Sequence, residues 1–255
     1  MTEAAWWTYP LLFAAGVVVS VINSVSGGGS ILSLPLLIFL GLPSAAANGT
    51  NRIGALAGSL GSLAAFRRLG HFHPRLAWQV GWPASLGSLV GSLLAVRLPD
   101  RIFNPVLAAV ILFVAVMSFR KRPAAGQARE PASVRSGAVA FLIYAGIGFY
   151  GGFIQAGSGL LMIYAFGRLG NLDIFQINSL KMFNTFLFIS VSILVFAAAG
   201  RIHWGMAVAL AAGNVVGGWM GSHLQVRRGE AWVNRFVLAT GILMAARLVW
   251  TTFRP

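Results

Sequence analysis

The sequence predicts an all-α polytopic membrane protein made of two homologous helical repeats. The repeats are expected to be inverted, each with a Gly/Ser-broken hairpin or re-entrant segment. Three observations carry this. Of 255 residues, 57% are hydrophobic and only 9% charged, against roughly a quarter charged in soluble domains. Apolar runs of spanning length, about 20 residues per crossing, follow one another along the chain. And the chain repeats itself at a shift of about 130 residues, the kind of internal period that defines an architecture.

The expected spans are 9–25, 44–66, 76–96, 102–119, 137–155, 175–199, 206–224 and 232–253. Two shorter apolar runs, 31–40 and 160–166, each follow a Gly/Ser cluster: Ser26-Gly27-Gly28-Gly29-Ser30 and Gln155-Ala156-Gly157-Ser158-Gly159. About 30 residues at 1.5 Å each is too long for one broken crossing, so a hairpin is expected. An odd number of crossings per half then inverts the second half relative to the first. The charge distribution hardly separates that from a parallel arrangement.

The repeat is carried by matched residue types in one register. Asn48 falls on Asn178, Phe66 on Phe196, His73 on His203, Arg97 on Arg227 and Asn104 on Asn234. The glycines follow: Gly70 on Gly200, Gly87 on Gly217, Gly91 on Gly221. The organisation is therefore a first transmembrane repeat (1–120), a basic linker (121–136) and a second repeat (137–255). The linker is the most basic loop and is expected in the cytoplasm.

Lys and Arg number 19 against 5 Asp and Glu, a formal charge of +14. In a soluble protein this would suggest nucleic acid. Here the cations lie mainly between apolar runs, as positive-inside topology requires, so no nucleic-acid partner is expected. The scarcity of acids leaves little in the interior to repel an anion. There is no cysteine, which excludes disulfides and thiolate chemistry. Neither a metal constellation nor a nucleophile with a base is visible, so neither enzyme nor cofactor is expected. Gly27-Gly28-Gly29 lacks the Gly-Lys-Ser/Thr of a phosphate loop. The first apolar run lacks a positive n-region and reads as a retained span.

The residues expected to carry chemistry flank the two breaks. After the first come Asn48, Thr50, Asn51 and Arg52; after the second, Asn178, Lys181 and Asn184. Spacings of three and four place Asn48, Asn51 and Arg52 on one helix face, and spacings of three place Asn178, Lys181 and Asn184 on another. A cation inside a span costs at least about 2.5 kcal/mol and faces a partner or a wet cavity. No acid on the same helix is near Arg52 or Lys181, so an anionic substrate is the natural counter-charge. Helices starting after Gly29 and Gly159 would offer N–H groups and positive dipole ends, with Ser26, Ser30, Gln155 and Ser158 as further donors. Broken segments at matching places in two repeats point to a transport site. The bland alternatives are glycines for close helix packing, asparagines as interhelical glue, and an Arg52 that snorkels to an interface.

The block Ser26-Gly27-Gly28-Gly29-Ser30-Ile31-Leu32-Ser33-Leu34-Pro35, with Gly41-Leu42-Pro43 and Ala47-Asn48-Gly49-Thr50-Asn51, resembles the first conserved block of the sulfite exporter TauE/SafE family. Gly148-Phe149-Tyr150-Gly151-Gly152-Phe153, Gly157-Ser158-Gly159 and Asn178-Ser179-Leu180-Lys181 are similar to its second. The resemblance implies a secondary transporter, an exporter of sulfur-containing oxyanions such as sulfite or organosulfonates, in a bacterial inner membrane. The chain departs from the family pattern at Asn51-Arg52, where a small polar and then an apolar residue are usual. A passive anion channel, or a permease for another small organic anion, remains the alternative. The expected partners are the anion and the lipid bilayer; homo-oligomer formation stays open.

Overall fold

The computed structural model describes residues 5–25, 27–117, 132–228, 242–244, 246–248 and 250. Ser26, most of the basic linker and most of the last expected span lie outside them. The fold is helical: α1 (Thr8–Val25), α2 (Ser30–Phe39), α3 (Ser44–Arg68), α4 (Pro74–Ala95), α5 (Asp100–Met117), α6 (Ala138–Phe153), α7 (Ser158–Leu169), α8 (Ile174–Ala198) and α9 (Trp204–Arg228). Residues 242–244, 246–248 and 250 are also helical.

The helix ends follow local chemistry. Proline sets the start of α4, where Pro74 needs no N–H partner. At α8 the Asp173 side chain accepts from Phe175 and Gln176 N–H groups, and the Gln176 side chain returns the bond to the Asp173 N–H. That reciprocal capping box fixes the entry of the chain into the second polar helix. One pairing was not anticipated: Ser133–Val134 (β1) and Gly170–Asn171 (β2) form a short antiparallel ladder. It ties the end of the linker to the end of α7, with the Arg135 N–H donating to the Leu169 carbonyl at 2.7 Å.

Helices α1 and α8 are long and apolar enough to cross a bilayer. Helix α3 has 25 residues, about 37 Å of helix, but its inner face is Asn, Arg, Ser and Gly. By contrast α2 and α7 have 10 and 12 residues, about 15–18 Å, too short to span.

Two glycine seams hold the bundle. A methyl group at Gly213 or Gly217 of α9 would strike the carbonyls of Phe13 or Val17 on α1. One at Gly148 or Gly152 of α6 would strike those of Ala84 or Ser88 on α4. Residue numbers rise together in both seams, so α1 runs parallel to α9 and α4 parallel to α6. Small residues permit this close approach, which membrane helices use for van der Waals packing. Close helix packing is the role of these four glycines. Because α1 packs on α9 and α4 on α6, the stretches before and after the linker share cores rather than forming two separate globules.

The polarity is that of a protein in lipid. Leu86, Leu89, Val90 and Leu93 of α4, Leu142 of α6, Leu194 of α8 and Val208 of α9 point outward. Asn48, Arg52, Asn178 and Lys181 are all 0–1% exposed. Burying such groups in a helical bundle is tolerable where polar partners meet them, and exposing leucine costs nothing against acyl chains.

Candidate anion site at the helix breaks

The site begins with two interrupted helices. After α1 the chain turns at Gly27 (φ +80°), and after α6 at Gly157 (φ +74°). Both angles lie in the left-handed region that glycine enters without penalty. The two turns touch. A Cβ on Gly27 would sit 2.5 Å from the Gly159 carbonyl carbon, and one on Gly159 would sit 2.7 Å from Gly27 Cα. At the first break the Asn23 carboxamide oxygen accepts from the Gly29 N–H at 2.8 Å. At the second, the Tyr150 hydroxyl donates to the Ala156 carbonyl at 2.5 Å.

Each break leaves carbonyls at a helix C-terminus, and each is met by a buried cation. From α3, Arg52 Nη1 donates to the Gly151 carbonyl (3.0 Å) and Ser192 Oγ (2.8 Å). Its Nη2 donates to the Gly152 carbonyl (2.5 Å) and Asn48 Oδ1 (3.2 Å). Asn48 Nδ2 donates to the Phe153 carbonyl at 2.8 Å. The guanidinium also lies 4.6 Å from the centroid of the Phe196 ring. From α8, Lys181 Nζ donates to the Asn23 (2.9 Å) and Ser24 (3.2 Å) carbonyls at the end of α1, and to Asn178 Oδ1 (2.5 Å). A cation at a helix C-terminus is stabilised by the last carbonyls and the negative end of the dipole.

Beside the contact of the two turns lies a cavity of about 30 Å³, ample for ordered water. Of the residues expected from sequence, Gly27, Ser30, Gln155, Ser158, Gly159 and Lys181 line it. Ser26 is outside the described residues. Arg52, Asn48, Thr50, Asn51, Asn178, Asn184, Gly28, Gly29 and Gly157 are not among the lining residues. Arg52 is turned into the end of α6 instead. Thr50 accepts from the His203 N–H at 2.9 Å and so anchors the turn before α9. Gly157 faces Val114, and Gly29 faces the Val19 carbonyl. Asn51 Nδ2 and both amide atoms of Asn184 are buried without a hydrogen-bond partner.

Sequence reasoning missed Ser20, Asn23, Ser59, Met182 and Thr185, which also line the cavity. A signal existed for some of them. Ser20 and Asn23 are three apart on the helix entering the first break, and Thr185 follows Lys181 by four.

Chemically, the cavity offers one ammonium, several hydroxyls, two neutral amides (Asn23 and Gln155), and the starts of α2 and α7. All are donors or can donate, and no lining residue is acidic. Among the described residues, no group of three His, Asp or Glu could hold a metal. Such a donor set suits an anion, and the lining residues include no nucleophile–base pair. A wider cavity of about 710 Å³ lies apart, where α1, α3 and α9 begin, lined by Trp7, Arg201 and His203 among others.

No solved structure matches the chain. A probable membrane transporter protein of Haemophilus influenzae is 27% identical over 240 residues, covering 94% of each chain. The probable membrane transporter protein ORF9 of Sinorhizobium sp is 23% identical over 255 residues, covering 100% of this chain and 97% of that one. The probable membrane transporter protein YfcA of Escherichia coli K12 is 25% identical over 248 residues, covering 94% and 89%. The sulfite exporter TauE/SafE model matches residues 12–248. With nearly the whole length matched and the paired breaks in place, the chain belongs to the sulfite exporter TauE/SafE family of membrane transporters.

Proposed function

We propose that this chain is a secondary carrier, an exporter, of small sulfur-containing oxyanions such as sulfite or organosulfonates, set in a bacterial inner membrane. The observation that carries the reading is Lys181, 1% exposed, on the wall of a small polar cavity where two helices start. Its Nζ holds two carbonyls and the Asn178 oxygen, and in a low-dielectric interior that charge, beside a cavity lined by hydroxyls and by no acid, favours an anion. Arg52 has a supporting role: it fastens the end of α6 and so places the second break. The Ser and Gln side chains complete the donor set.

Further parts of the reading rest on the packing. Helices α1 and α9 pair as α6 and α4 do, and α3 faces α8. That interchange supports two inverted repeats, 1–120 and 137–255, joined by a cytoplasmic linker, with α2 and α7 as re-entrant arms. Paired breaks at matching places in two repeats favour a carrier that alternates over an open pore.

Sulfite flux into proteoliposomes tests the proposal, with wild type beside Lys181→Ala and with sulfate and taurine as competitors. The expected result is saturable flux reduced at least 100-fold in the variant. Flux that never saturates would replace the carrier with a channel. A Lys181→Ala protein that transports normally would sink the site.

A further inference from the structure

Gln155 combines three features that the fold alone does not require. Among the described residues it is the one non-glycine with a positive φ, +67°. A Cβ makes that region uncommon, and a residue persists there when its surroundings over-determine it. They do so here: the Gln155 N–H donates to the Tyr150 carbonyl (3.3 Å), and the Ser158 N–H donates to the Gln155 carbonyl (3.0 Å). Second, the side chain is 3% exposed, yet its Oε1 has no hydrogen-bond partner and its amide bonds to no described residue. Buried side-chain amides are nearly always bonded. Third, the residue lines the cavity with Ser158, Gly159 and Lys181.

Glycine would suit this backbone better and would leave no unmet amide. A strained position that buries an unbonded polar group at a cavity is a position kept for a ligand.

We infer that Gln155 is a cargo-binding residue that selects oxyanions over spherical anions. This rests on the anion-carrier reading. The ammonium of Lys181 attracts any anion, because a point charge has no shape preference. The unmet Oε1 is an acceptor, and a half-turn of the carboxamide puts its N–H in that place; such an N–H is directional and rewards an oxygen acceptor held at a set angle to the cation. Sulfite and sulfonates present several such oxygens; chloride presents none. The amide also adds donors without adding charge, so an anion with one negative charge leaves the cavity neutral beside Lys181.

The test is Gln155→Gly in the purified full chain, with two readouts that a structural role would move together. Thermal unfolding in detergent is expected unchanged or at higher temperature, since glycine relieves the left-handed turn. Sulfite binding by calorimetry is expected about tenfold weaker, while chloride competition stays within twofold of wild type. Gln155→Asn keeps an amide on a residue that tolerates this backbone and should recover part of the loss. A variant that loses stability and affinity together would make Gln155 structural and overturn the inference. So would unchanged sulfite affinity, or equal losses for sulfite and chloride. A wild-type protein that carries no anion into vesicles defeats the carrier reading itself, a different result from wild-type flux with an indifferent Gln155.

Discussion

The two buried cations solve the same local problem and end with different chemistry. Arg52 and Lys181 each sit on a 25-residue helix, beside an asparagine, against the carbonyls of an interrupted helix. At Arg52 the planar fork spreads over two backbone carbonyls, a serine and an asparagine, and stacks near Phe196. At Lys181 a compact ammonium holds two carbonyls and an asparagine while it borders the cavity. A guanidinium in a fixed fork is a fastener; an ammonium on a flexible stem can exchange one acceptor for another. Charge alone does not choose between the two as the proposed site; what each charge already holds, and whether it borders open space, does.

The largest effect expected from this contrast is on folding. Arg52→Leu leaves the Gly151 and Gly152 carbonyls and Asn48 Oδ1 without their donor in the interior. A loss of about 3–5 kcal/mol of stability follows, seen as a lowered unfolding temperature or a failure to accumulate. A stable Arg52→Leu protein that has lost transport would move Arg52 into the cargo path and erase the distinction.

Next comes the contact of the two breaks. Gly27→Ala and Gly159→Ala each push a methyl into the opposite backbone, so each is expected to cost about 1–3 kcal/mol. Because the two positions share one contact, the double variant should depart from the sum of the singles by at least about 0.5 kcal/mol. Additive losses in detergent unfolding would mean that the breaks do not meet. The smallest effect is the conservative exchange. Lys181→Arg keeps the charge but brings a fork that the carbonyls can lock. Flux about tenfold lower, with stability within about 1 kcal/mol of wild type, is expected. Full flux would show that the ammonium's mobility does not matter.

Much of the fold was legible in the residues. The expected run 44–66 became Ser44–Arg68, and 175–199 became Ile174–Ala198. The short runs became α2 and α7. Hydropathy, glycine and proline act over a few neighbours, so such boundaries are local properties. The β1–β2 ladder was not legible. Its two-residue strands carry no periodic signal, and their pairing depends on where the linker returns.

For the candidate site, the sequence by itself determined that the chain breaks within 26–30 and 155–159, although α7 starts at Ser158 rather than after Gly159, and that polar faces on α3 and α8 are buried in an apolar protein. Those are consequences of local backbone freedom and of the cost of polar groups in lipid. Only the tertiary structure decided that the two breaks touch, that Arg52 faces α6 while Lys181 faces α1, and that Lys181 alone of the pair borders the cavity. The reason is distance along the chain. Arg52 meets Gly151, and Lys181 meets Asn23, across separations of 99 and 158 residues. Which carbonyl a cation reaches is settled by how helices pack, and no local pattern encodes that.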